Sequence, residues 1–257
     1  MHRRGTMDTT RFLIVNADDF GQSAGVNRGI IAAHQVGILT SASLMVRWPA
    51  AVEAAAYARE HPRFSLGLHF DFGEWAYRRG SWVKLYDVVP ENDVEQVTKE
   101  AGRQLATFHR LVGRAPTHID THQHIHLRKS LRPIFLAIAE ELGVPLRSCN
   151  SRIRYCGSFY GQDDEGRSIP SFIGVPALIR LIAKLPVGFT ELGCHPGHAE
   201  DLNSMYRKER AVEVRTLRDP RVRTAIDRQG INLCSFHDIS ERIVASEAAA
   251  DSLTPSR

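Results

Sequence analysis

A single parallel α/β barrel is the fold class this sequence predicts, and three observations carry the prediction. Short, β-branched apolar runs alternate with helical patterns from Arg11 onward, as strands do when each needs a crossover helix. Titratable residues recur where those runs end, at Asp18 and Asp19, His69, His122, His195 and His237. The 257 residues, 43% of them hydrophobic, can bury one large core, with no composition break, linker or repeated motif to divide it. An open doubly wound sheet would also show the alternation. A closed or nearly closed barrel gathers every strand end on one rim, where such folds bind ligands, and is preferred for that reason. One domain is expected over residues 11–240, with a flexible extension over 1–10 and a polar tail over 241–257.

Taken in order, the first strand is R-F-L-I-V-N-A at 11–17, stopping at Asp18-Asp19-Phe20-Gly21. A helix opens at Ser23 or Ala24 and closes at Gly37, a residue type suited to a C-cap. Strand 40–46 precedes a helix that starts at Pro49 and runs through an alanine-rich segment to His61. Strand 64–70, F-S-L-G-L-H-F, carries His69 near its end. Residues 71–87 are looser and aromatic, with Phe72, Trp75, Tyr77, Trp82 and Tyr86. A long amphipathic helix follows over 92–112, and Pro116 leads into a histidine-rich fourth strand. Helix 128–142 is stopped by Gly143, strand 144–149 comes next, and 176–185 is helical. Strand 187–194 delivers His195-Pro196-Gly197, helices occupy 204–215 and 220–229, and strand 231–236 is the seventh.

Composition excludes several function classes. The net charge of +4 is spread over basic residues interleaved with 29 acids, which is no nucleic-acid footprint. The basic N-terminus lacks the apolar run of a signal peptide, and no segment is long and apolar enough to span a membrane. Four cysteines without CxxC spacing predict reduced thiols and a cytoplasmic protein.

The chemistry concentrates at Thr117 to Leu127, T-H-I-D-T-H-Q-H-I-H-L, which sets His118, Asp120, His122, His124 and His126 at alternate positions. Alternate residues of a strand share a face, so imidazoles and a carboxylate converge as a divalent cation requires. The adjacent acids Asp18 and Asp19 point in opposite directions on a regular strand. One is therefore expected to ligate metal while the other accepts a proton.

Four stretches, N-A-D-D-F-G at 16–21, G-L-H-F at 67–70, T-H-I-D-T-H-Q-H-I-H at 117–126 and C-H-P-G at 194–197, resemble the ordered signature of the YdjC-like carbohydrate deacetylases. That family includes enzymes acting on N,N′-diacetylchitobiose and on acetylglucosaminyl hopanoids. The match runs from about Arg11 to about Asp238. The resemblance implies a TIM-barrel-like (β/α)7 barrel, distorted or incompletely closed, often a homodimer, with a divalent ion held by one aspartate and two histidines. Carried onto this sequence, the ligands are Asp19, His69 and His122, the general base is Asp18 and the general acid is His195. Asp120, His124 and His126 become candidates for orienting the ligands. The donor set suits zinc and similar ions, whereas the resembled family is commonly described with magnesium, so the ion is Mg or Zn.

The function expected is removal of an acetyl group from an N-acetylated amino sugar, in an oligosaccharide or a glycolipid, by cation-activated water. Trp75 and Trp82 are expected to stack on sugar rings from a substrate-covering loop. Two other readings compete. Phosphoesterase or amidohydrolase barrels usually carry their His-x-His pair on the first strand, where this chain has Asp18-Asp19. A carbohydrate-binding or metal-storage protein without catalysis would need neither Asp18 nor His195.

Overall fold

The computed structural model describes residues 9–198 and 200–239. The expected extension lies outside the described residues except for Thr9 and Thr10, and the expected tail lies outside them entirely. The elements follow the alternating pattern: β1 (Arg11–Phe20), α1 (Ala24–Val36), β2 (Ser41–Leu44), α2 (Ala51–Glu60) and β3 (Ser65–Phe70). Next come β4 (Gly73–Arg78), β5 (Ser81–Asp87), α3 (Val94–Val112), β6 (Ile119–Thr121) and α4 (Arg132–Leu142). The chain then runs through β7 (Ile153–Cys156), α5 (Val175–Ala183), β8 (Gly188–Cys194), α6 (Lys208–Leu217), α7 (Pro220–Arg228) and β9 (Ile231–Cys234). Local chemistry sets several boundaries. Ser23, Asp93 and Asp219 accept backbone N–H bonds at the starts of α1, α3 and α7. Gly113 and Gly143 close α3 and α4 in the left-handed conformation.

Among the described residues, seven strands form one parallel sheet, six of them in the order β6-β3-β2-β1-β8-β7 and the seventh, β9, beside β1. β9 pairs with Arg11–Ile14 of β1, while β2 pairs with the Asn16–Phe20 end. The curled sheet stays open between β6 and β7, so the expected incompletely closed barrel is what forms. Leu13, Val15, Ala42, Leu44, Leu66, Leu68 and Leu192 face outward into the main core under the helices. Phe12, Ile14, Ile153, Cys234, Phe236 and Ile239 form a second apolar cluster that plugs the barrel below the site. No described helix is long and apolar enough to cross a membrane.

Three expectations need correction. The strand expected at 144–149 is reduced to one bridge, Ile119 to Leu146, because Pro145 offers no N–H and Ser148 turns away at φ +58°. The fifth strand is instead Ile153–Cys156. The loose aromatic segment is the antiparallel hairpin β4–β5. The helix expected from Ser204 starts at Lys208, and the irregular chain before it, with Ser204, Met205 and Tyr206, lines the site.

The C-H-P-G loop reaches its place because α1 presents glycines to it. A Cβ on Gly29 would come within 2.4 Å of Gly197 Cα, and one on Gly25 within 1.7 Å of the His198 carbonyl. Any larger residue there would lift the loop, and His195 with it.

Candidate active site

Both acids of the Asp18-Asp19 pair face one cleft, which a regular strand would forbid. Asn16 and Asp18 alternate into the barrel, while Val15 and Ala17 pack outward. Asp19 then takes φ +66°, and the pairing with β2 shifts register between Ala17 and Phe20. Such a conformation in a non-glycine residue is strained, and its surroundings must hold it in place. Here Arg210 Nη2 donates to Asp19 Oδ2 at 2.5 Å. The guanidinium is itself held by the Tyr206 and His195 carbonyls and by Gln22.

The other oxygen, Asp19 Oδ1, lies 3.3 Å from both His69 Nε2 and His122 Nδ1, and those two nitrogens are 3.4 Å apart. A tetrahedral ion about 2.1 Å from each ligand atom sets those atoms about 3.4 Å apart. Asp19 Oδ1 and His122 Nε2 are buried without a hydrogen-bond partner. The triangle therefore has the dimensions, the donor types and the unsatisfied acceptor that one divalent ion would fit. His69 is aimed by its far side, where Nδ1 meets Asp120 Oδ1 at 2.6 Å. Burial lowers the His69 imidazolium, but Asp120, Asp19 and Asp18 outweigh it and raise the group well above its ordinary range. The same negative field attracts a cation.

Asp18 is bound by Arg147 through two short bonds, Nη1 to Oδ2 at 2.6 Å and Nη2 to Oδ1 at 2.7 Å. Burial raises the Asp18 carboxyl, and the guanidinium more than reverses it, leaving the group below the usual carboxylate value. Arg147 also contacts Asp120 Oδ2 at 2.7 Å and Glu191 Oε1 at 2.7 Å. His195 follows β8, its Nε2 3.7 Å from Asp18 Oδ2 and its backbone N–H donated to Glu213 at 2.5 Å. Burial lowers its pKa to about 4 despite Asp18 and Asp19, so the ring is neutral at pH 7.

The remaining histidines of the fourth strand separate. Gln123 and His124 both adopt φ +53°, which ends the strand alternation. His124 lines the cleft against Tyr155, with its ring centroid 5.5 Å away. His126 turns away from the triangle, bridging Thr121 Oγ1 at 2.7 Å and the Arg147 carbonyl at 3.1 Å. Among the described residues neither ring hydrogen-bonds to Asp19, His69 or His122; His126 instead fixes the backbone that carries Arg147. Trp75 lines the cleft, and its backbone is clamped at both N–H and carbonyl by the Gln123 side chain. Trp82 sits near the hairpin tip, 49% exposed and outside the cleft.

The cleft has a volume of about 320 Å³, within the range of small-molecule sites, and its walls include Tyr155, Phe159, Tyr160 and Tyr206. Glu74 lies beside Trp75 in the same wall, because a register shift between these neighbours turns both inward. The sequence reading missed Arg147, Arg210, Glu74 and Glu213. Arg147 had a signal, since it ends an apolar run at the rim as the acids do. Arg210 and Glu213 sit within α6 and resemble any solvated helix face.

The YdjC-like protein family model matches residues 12–228. The chain belongs to the YdjC-like family. This YdjC-like chain is similar to a chitooligosaccharide deacetylase of Serratia marcescens, 31% identical over an alignment that covers 89% of this chain and 99% of the relative. A carbohydrate deacetylase of Brevibacillus brevis is 32% identical over 88% of this chain and 99% of its own. Among solved structures, a candidate cellobiose-phosphate cleavage protein of Enterococcus faecalis superposes with a TM-score of 0.72 at 25% identity, covering 90% of this YdjC-like chain and 99% of the other. The Xyl-CE4 domain of a xylanase from a Trinervitermes trinervoides hindgut metagenome shares the fold, with a TM-score of 0.51 at 10% identity over 91% of each chain.

Proposed function

We propose that this protein is a cytoplasmic, metal-dependent hydrolase that removes the acetyl group from an N-acetylated amino sugar. The observation that carries the reading is the Asp19, His69 and His122 triangle set beside Asp18 and His195 in one aromatic-walled cleft. The names of the relatives, chitooligosaccharide and carbohydrate deacetylase, supply the substrate class. A divalent ion held by Asp19, His69 and His122 would polarise the acetamido carbonyl and make water a better nucleophile.

This chain's residues supply the rest. Arg147 keeps Asp18 ionised, so its carboxylate can take the proton of the attacking water. His195 begins neutral, and its Nε2 stands next to Asp18 Oδ2. It therefore serves as acid by passing on the proton that Asp18 has accepted, delivering it to the departing amine. Acetate and a free amino sugar result. Trp75, Tyr155, Tyr160 and Tyr206 line the cleft, an aromatic wall that suits the apolar C–H faces of a sugar.

Acetate release from N-acetylated chitooligosaccharides, followed with and without a chelator, tests the reading. Release should stop with chelator and return on adding a divalent ion. In Asp18→Asn it should fall by about 10²–10⁴-fold while the metal content of the purified protein stays unchanged. Full activity in metal-free protein would refute the metal, and full activity in Asp18→Asn would refute the base.

A further inference from the structure

We propose that a second groove, on the far side of Tyr155, holds an aglycone of the substrate that is apolar and carries an anionic group. This rests on the deacetylase reading of the main cleft. The groove has a volume of about 520 Å³ and lies between β7 and α5. Its floor is apolar, formed by Phe172, Ala177, Leu181, Leu185 and Pro186. Its rim carries Arg154, Arg180 and Lys184, and no carboxylate side chain lines it. None of the three cations has an ion-pair partner among the described residues, and no carboxylate lies in the groove wall to balance them. Three uncompensated cations on an apolar trough favour a ligand with a negative charge on an apolar body.

Continuity with the reaction cleft makes that ligand part of the substrate. Tyr155 and Gly157 line both spaces, so a single ring and a glycine divide them. The partition is thin because two glycines admit the ring: a Cβ on Gly193 would stand 2.6 Å from Tyr155 Oη, and one on Gly157 3.0 Å from Tyr155 Cε1. On the proposal, a sugar whose acetamido group faces Asp18 reaches the groove across Tyr155, the wall the two spaces share. Phe172, 52% exposed at the groove, would be covered by the apolar segment.

The test needs one binding arm that is independent of catalysis and one kinetic arm. Octyl phosphate below its micelle-forming concentration is titrated calorimetrically against the wild-type protein and against the Arg154→Gln, Arg180→Gln, Lys184→Gln triple variant. Inorganic phosphate and octyl glucoside serve as separate probes. Octyl phosphate should bind more tightly than either, and the triple variant should weaken it about tenfold. In the kinetic arm, KM for an N-acetylglucosaminide with an alkyl phosphate aglycone should rise in the variant, with turnover of N,N′-diacetylchitobiose unchanged. Equal binding of octyl phosphate and octyl glucoside, or no loss in the variant, would overturn the proposal. So would binding confined to anionic vesicles, which would make the groove a membrane contact. Octyl phosphate binding without any acetate release would instead refute the deacetylase reading while leaving the groove's ligand chemistry standing.

Discussion

One guanidinium, that of Arg147, neutralises part of a cluster formed by Asp18, Asp120 and Glu191 inside the barrel. Burial raises Glu191 to about 7, so this third acid is the one most readily protonated. Removing one partner of a buried ionic cluster leaves the others uncompensated, at a cost of about 3–5 kcal/mol. Arg147→Met should lose that much stability in urea unfolding, and a loss below 1 kcal/mol would show that the acids simply take up protons. His126 gives a pH-dependent counterpart. Burial lowers its pKa from 6.5 to about 4, so the folded state favours the neutral ring. Its contribution is complete above pH 6.5 and is lost as pH falls toward 4, to a total of roughly 3 kcal/mol. His126→Gln should flatten the slope of unfolding free energy across that window by about one proton, whatever its constant offset.

At the scale of elements, the site is built where regular structure breaks. Positive φ at Asp19 turns a second acid into the cleft, positive φ at Gln123 and His124 bends the chain sharply just after His122, and a register shift in β4 turns Glu74 and Trp75 inward together. Gln123 then ties the β4–β5 hairpin to the histidine turn, and Ser204 ties it to the opposite loop through Glu74 at 2.9 Å. The hairpin is therefore a fixed wall with one tryptophan, Trp75, lining the cleft. Trp75→Ala should raise KM for a chitooligosaccharide several-fold, since it removes an aromatic ring from the cleft wall, whereas Trp82→Ala should leave KM unchanged. Equal effects of the two substitutions would return Trp82 to the substrate surface. The hairpin escaped the sequence reading because its aromatic residues mark a loop packed on the barrel as readily as two strands.

At the scale of the whole molecule, elements from both ends of the chain must be in place before the triangle exists. Asp19 comes from β1, His69 from β3, His122 from the turn after β6, and Arg210 from α6. A ligand that binds only this assembled site raises stability by about 2.7 kcal/mol at a hundredfold excess over its Kd. Adding a divalent ion should therefore raise Tm, and His69→Ala should abolish the rise; an equal rise in that variant would place the ion elsewhere. By itself the sequence determined the alternating strands and helices through local periodicity, and through the resemblance its ordered motifs carry it implied the family and an incompletely closed barrel. Of the titratable strand ends it set on one rim, Asp18, Asp19, His69, His122 and His195 line the cleft, while His237 lies in a separate groove with His34 and Thr40. Only the tertiary structure decided that both adjacent acids face the cleft, that His126 turns away, and that Arg147 and Arg210 hold the two aspartates. Backbone reversals at single residues and ion pairs between positions more than a hundred residues apart leave no periodic trace in a chain.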